Sequence, residues 1–95
     1  MAYYVYILAS QPNGTLYIGF TGELARRVWQ HKEGVADSFT KEHGVTRLVH
    51  FEEFDDVNIA RQRERSLKRW LRKWKVELIE QNNPQWRDLY EDLLK

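Results

Sequence analysis

Cysteine is absent from the 95-residue chain, which excludes structural disulfides, thiolate metal sites, iron–sulfur clusters and cysteine nucleophiles together. Proline and glycine are sparse, at two and five residues, and no internal repeat or linker is visible. No apolar run approaches the roughly 18 residues that a bilayer span needs. Met1 to Ser10 is aromatic and alternating, without the cationic start of a secretory leader, so a soluble, cytoplasmic protein is expected, with no membrane partner. What the chain does have is apolar and aromatic material, 42% and 14% of its residues. At this length that is enough for one small core and not for two, so residues 1–95 are read as a single domain.

A formal charge of +1 hides an asymmetry. Between Arg61 and Lys75 stand eight basic residues against one acid, Glu64, so this window carries +7 and the remaining eighty residues −6. A solvated helix face is one account of such a stretch. The same window also holds Trp70 and Trp74, and a basic, aromatic surface suits phosphate backbones.

Tyr3 to Ala9 (YYVYILA) and Leu16 to Phe20 (LYIGF) are rich in β-branched and aromatic residues, and Pro12-Asn13-Gly14 lies between them, which predicts a β-hairpin. Thr21 is placed to cap a helix over about Gly22 to Glu33, stopped by Gly34. Val35 to Val45 has no clean period and is read as loop. Arg47 to Phe54 alternates as a third strand. Asp55 and Asp56 then offer caps for a long helix from near Val57, with Ile59, Ala60, Leu67, Trp70, Leu71 and Trp74 on the arc that packs against the sheet. Asn82-Asn83-Pro84 interrupts it, and an amphipathic segment from Gln85 to Leu94 is expected to bury Trp86, Leu89, Tyr90 and Leu93. The expected fold is α+β, a small three-stranded antiparallel sheet packed with two to four helices in two layers.

The three serines lack a nucleophile elbow, the three histidines have no metal-ligand spacing, and Gly14, Gly19 and Gly22 do not form a phosphate-binding loop. Hydrolase triads and nucleotide folds are therefore not indicated. What remains is a spaced pattern: Tyr4-Val5-Tyr6, a ten-residue gap, Tyr17-Ile18-Gly19, Arg27 with His31 one turn later, Glu64 on the long helix, and Asn83 before a proline. This pattern resembles the GIY-YIG nuclease superfamily in its small standalone form, and is similar to the nuclease module of the excision-repair endonuclease subunit. Tyr4 stands where the first motif of the family has glycine, while its tyrosine is kept as Tyr6.

The resemblance implies a DNA endonuclease that depends on a divalent cation, Mg²⁺ or Mn²⁺, and links the chain to DNA repair. It implies that Tyr17, with Tyr6, positions or deprotonates the attacking water, that His31 supplies a further proton-transfer group, and that Glu64 holds the metal. Each residue also has a reading of its own. Tyr6 and Tyr17 serve as sheet aromatics unless they face the same way, which the sequence leaves open. Gly19 is either a weak point of a strand or a gap through which substrate reaches the backbone. At about 100° per residue, Arg27 and His31 flank the buried stripe of Leu24 and Val28 while Arg26 points to solvent. Arg27 could therefore hold a phosphate oxygen or pair with Glu64. Glu64 falls at the edge of the apolar arc and is a charge partner for Arg61, Lys68 or Arg27, or a ligand for a hard cation. Arg63 falls inside the arc, so an ion pair with Glu52 or Glu53 is expected. Arg61, Arg65, Lys68 and Arg72 share the outer face and are expected to contact phosphates together, with Gly19 as a further substrate contact; Asn83, which by itself simply ends a helix, is added as a substrate contact by the resemblance. The alternative from another class is a non-catalytic nucleic-acid-binding or adaptor domain using the Arg61 to Lys75 helix. A homodimer or a protein partner is left open.

Overall fold

The computed structural model describes residues 1–95. Its elements are β1 (Tyr3–Ala9), β2 (Leu16–Thr21), α1 (Leu24–Lys32), α2 (Ser38–His43), β3 (Arg47–Phe54), α3 (Val57–Arg69), α4 (Arg72–Asn82) and α5 (Tyr90–Leu93). The three strands form one antiparallel sheet in the order β2-β1-β3. The hairpin between β1 and β2 closes with Asn13 in the left-handed region, φ 61°, and with Gly14 N–H donating to the Gln11 carbonyl at 2.9 Å.

β1 is the central strand, and Val5 to Ala9 is buried without a break. A strand is buried on both of its faces only when both faces of the sheet are covered. Val5, Ile7 and Ala9 pack with Ile18, Val49, Ala60, Leu67, Ile79 and Trp86, the side covered by α3 and α4. Tyr6 and Leu8 pack with Leu24, Val28, Val45 and Leu48, the side covered by α1. The two-layer arrangement expected from the sequence is thus corrected to a sheet between two helical layers.

Three further expectations are corrected. Val35 to Val45 contains α2, whose start is set by the Asp37 carboxylate accepting from Phe39 N–H at 2.7 Å and whose end is set by Gly44 at φ 64°. The long helix is broken at Trp70 and Leu71, both extended at ψ near 149° and 148°. A continuous helix over residues 57–82 would run about 39 Å at 1.5 Å per residue, beyond the 30 Å long axis of the protein. The break turns α4 so that Ile79 reaches the core and leaves Leu71 and Trp74 exposed; Ile59, expected on the packed arc, is also exposed, near the start of α3. The last segment is helical only over Tyr90–Leu93, because Trp86 adopts φ 57°. Trp86 is buried on the α3–α4 side, whereas Leu89, Tyr90 and Leu93 are half-buried on the α1 side. A chain that passes from one face of the sheet to the other cannot keep one helical period.

The hairpin register decides what the site looks like. Tyr6 lies opposite Gly19 and Leu8 opposite Tyr17, so Tyr6 and Tyr17 are diagonal neighbours on one face. A Cβ on Gly19 would come within 2.8 Å of two ring carbons and the hydroxyl oxygen of Tyr6. Gly19 is therefore the floor on which the buried Tyr6 ring lies. Gly19→Ala is expected to cost about 1–3 kcal/mol through overpacking, measured by urea unfolding. The same substitution should cost markedly less in a Tyr6→Ala background, the signature of direct coupling in a double-mutant cycle.

Candidate active site

Helix α1 begins at Leu24, after Thr21 Oγ1 accepts from Glu23 N–H at 3.0 Å. Its buried stripe is Leu24, Val28 and His31. Arg27 stands half-buried at the margin of that stripe, and Arg26 is exposed and paired with Glu23 at 3.7 Å. The helical wheel thus separates two adjacent arginines as the sequence reading expects.

His31 is fully buried and meets both tyrosines, with ring centroids 5.8 Å from Tyr6 and 5.2 Å from Tyr17. Tyr6 and Tyr17 are 6.4 Å apart. The hydrogen bonds around His31 settle its tautomer by proton count. Thr40 has one hydroxyl proton, donated to the Asp37 carbonyl at 3.0 Å, so it must accept from His31 Nδ1–H, also at 3.0 Å. His31 Nε2 is then a bare acceptor and takes the Tyr6 O–H at 2.9 Å. A single directed chain results, from Tyr6 through His31 and Thr40 to the backbone of Asp37.

Burial, before any neighbouring charge, favours the protonated form of both phenols. Burial pushes the Tyr6 phenol well above its ordinary value, Tyr17 adds to the rise, and Arg27 opposes it. Burial and then the Asp37 carboxylate raise Tyr17, whose hydroxyl donates to Asp37 Oδ2 at 3.4 Å; Arg27 again opposes. Glu64 adds a smaller upward push on both phenols. Arg27 and Glu64, 37 positions apart, therefore act on the same two hydroxyls from α1 and α3. Glu64 is largely buried, with its side chain 18% exposed, and pairs with Lys68 at 3.1 Å. Arg27 donates to Gln30 Oε1 at 3.2 Å.

The residues expected to bind substrate scatter more widely. Gly19 is covered by Tyr6, which corrects its reading as a gap for substrate on that face. Asn83 is buried, and its amide is spent on backbone: Nδ2 donates to the Val49 and Arg87 carbonyls, and Oδ1 accepts from Arg87 N–H. It brackets the C-terminal segment against β3. Arg72 leaves the expected stripe because the helix breaks before it, and its guanidinium holds the Asn13 and Gly14 carbonyls at 2.8 and 2.6 Å. Arg61 lies over the Phe20 ring at 4.7 Å, Lys68 pairs with Glu64, and Arg65 lines a groove with Trp70 and Trp74. Arg63 makes the expected ion pair with Glu52, in a two-pronged contact at 2.8 and 2.9 Å.

Asp37 and Thr40 are the residues that the sequence reading misses. The only local signal for them is Asp37 as a helix cap seven residues before Gly44.

Burial, and next the Arg27 charge, lowers His31 from 6.5 to about 4. Between these values the unfolded chain binds a proton at His31 that the folded chain does not, so the fold loses stability as pH falls from about 6.5 to 4. The slope from this residue is at most about 1.4 kcal/mol per pH unit. Glu52 acts in a separate window: burial pushes it up, but hydrogen bonds from His50 and Arg63 outweigh that and hold it at about 2. Urea unfolding at pH 7, 6 and 5 should show the decline, and His31→Gln should flatten it.

Comparison with known proteins agrees with this geometry. The GIY-YIG catalytic domain family matches residues 2–77, a span that holds Tyr6, Tyr17, Arg27, His31 and Glu64 and ends before Asn83. A UPF0213 protein of Haloquadratum walsbyi is 37% identical over 79 residues, covering 83% of this chain and 88% of the relative. A UPF0213 protein of Clostridium perfringens is 37% identical over 76 residues, covering 80% and 81%. The solution NMR structure of a UPF0213 protein from Bacillus halodurans superimposes with a TM-score of 0.58 at 30% identity, over 93% of each chain. With the motif residues, the sheet and the relatives in agreement, this chain belongs to the GIY-YIG family, among its small UPF0213 members.

Proposed function

We propose that this chain is a divalent-metal-dependent endonuclease that hydrolyses DNA phosphodiester bonds at the Tyr17–Arg27–Glu64 cluster. What supports the reading is the Tyr6–Tyr17–His31 ring cluster, whose two phenols feel the charges of both Arg27 and Glu64 from two separate helices.

Arg27 binds a non-bridging phosphate oxygen through its guanidinium and stabilises the charge that grows there. Tyr17 sits at the mouth of a groove that also holds Lys68. Its hydroxyl oxygen accepts a hydrogen bond from the attacking water while its own proton points to Asp37. Tyr6 stays a phenol and, through His31, fixes the wall against which Tyr17 stands. Glu64 is a single hard carboxylate with no cluster of three ligand residues around it, which fits a cation completed by water and phosphate and does not fit an all-protein cage. When bound there, Mg²⁺ or Mn²⁺ would neutralise phosphate charge and lower the pKa of a bound water. One such cluster per chain cuts one strand at a time, so double-strand breaks would take a second copy.

The rival reading, a binding module on the Arg61 to Lys75 face, draws less support, because Arg72 is committed to the hairpin turn and Arg61 lies over the Phe20 ring. Supercoiled plasmid incubated with Mg²⁺ or Mn²⁺ separates the two. The wild type should nick it. Tyr17→Phe, Arg27→Ala and Glu64→Gln should each lose about a hundredfold or more, and Arg26→Ala should stay within about twofold of wild type. Melting temperatures taken alongside show whether a loss is one of folding. An unchanged nicking rate in Glu64→Gln would overturn the metal-ligand assignment, and no nicking by the folded wild type would favour the binding module.

A further inference from the structure

Beside Tyr17 lies a groove of about 300 Å³ lined by Leu16, Tyr17, Ile18, Phe39, Lys68 and Lys75. Its floor is apolar, its wall is aromatic, and both of its charged lining residues are cations. Phe39 comes from α2 and is 41% exposed, an unusual cost for a large apolar side chain on a six-residue helix. It stacks on His43 at 4.3 Å and 28°, and it faces Tyr17 at 6.4 Å and 29°. Tyr17, Phe39 and His43 thus form a continuous aromatic strip that starts at the proposed cleavage site. Nothing in the reaction itself employs Phe39, His43 or Lys75.

Aromatic rings beside cations are the recognition chemistry of a single strand, whose bases expose their faces and whose phosphates run alongside. Bases inside a duplex have no free face to offer. The geometry points to a subsite for an unpaired DNA base stacked on Phe39, with flanking phosphates on Lys68 and Lys75, next to the phosphate at Tyr17. This rests on the nuclease reading for its location and deepens it: the preferred substrate carries an unpaired base at the cut, as in a single strand or a flap. An acidic peptide would also meet the two lysines but would gain nothing from a flat aromatic wall, and a second apolar surface would leave the Lys75 charge uncompensated.

The test is fluorescence anisotropy of the full chain in EDTA, so that binding is read without cleavage. The probes are a labelled single-stranded oligonucleotide and its duplex. The wild type should prefer the single strand, and Phe39→Ala should reduce the ratio of single-strand to duplex affinity about tenfold, within the range measured for one stacked base. Phe39→Trp should restore the ratio, which a general loss of folding would not do, and Lys75→Gln should weaken binding and flatten its salt dependence. Equal ratios in wild type and Phe39→Ala would overturn the subsite, as would a wild type that binds neither probe. Plasmid nicking reads the other question: nicking with an unchanged ratio removes the subsite and keeps the nuclease. A Phe39-dependent ratio without nicking keeps the subsite and removes the nuclease.

Discussion

The placement of the Tyr6 ring is the constraint on which the site depends. The ring lies in the space that a side chain at residue 19 would fill, and its hydroxyl is buried in contact with His31. The hydroxyl end of the side chain is therefore held twice, by packing against the backbone of β2 and by a hydrogen bond to α1. Leaving a buried polar group without a partner costs about 1–3 kcal/mol, and every buried side-chain polar atom in the protein has one. The bond from Tyr6 thus ties α1 to the sheet, and the bond from His31 to Thr40 carries the tie onward to α2. Tyr17, Arg27 and Asp37 all stand on elements whose positions this chain of contacts sets.

That arrangement divides labour between two tyrosines that look alike in sequence. Tyr6 is 1% exposed and donates to a neutral imidazole, so it is a fixed part of the wall. Tyr17 is half-buried, reaches a groove and points its proton at a carboxylate. Of the two, Tyr17 has the access to solvent that a water-orienting group needs.

How much of this was legible in the sequence depends on the range of the interaction concerned. The three strands and the turn at Pro12-Asn13-Gly14 were legible because side-chain shape and local backbone preference act within a few residues. The split between Arg26 and Arg27 was legible because helical geometry repeats over a single turn. Helix α2 was not, since six residues give fewer than two turns and bury only Thr40. No glycine or proline marks the break at Trp70 and Leu71; it follows from the size of the sheet and from packing of Ile79. Trp86 in a left-handed conformation defies its local preference and is held there by burial and by a hydrogen bond from Nε1 to Glu80 at 2.8 Å. The family pattern brought the site residues to notice, but the direction of the Tyr6–His31–Thr40 chain needed coordinates, because it rests on one proton of Thr40.

The electrostatics of α3 also read differently once the helix is folded. In sequence, Glu64 is one acid among eight cations, and its surroundings would be expected to quench it. In the fold those cations are sent elsewhere: Arg63 to Glu52 and the Trp70 ring, Arg61 to the Phe20 ring, and Arg72 to the hairpin turn. Only Lys68 pairs with Glu64, and its side chain is 55% exposed, where a surface ion pair contributes about 1 kcal/mol or less. A carboxylate held that loosely can exchange its lysine for a stronger cation at small cost. The positive charge of this stretch is thereby anchored to partners along its length, and Glu64 is left with a single, weakly held cation.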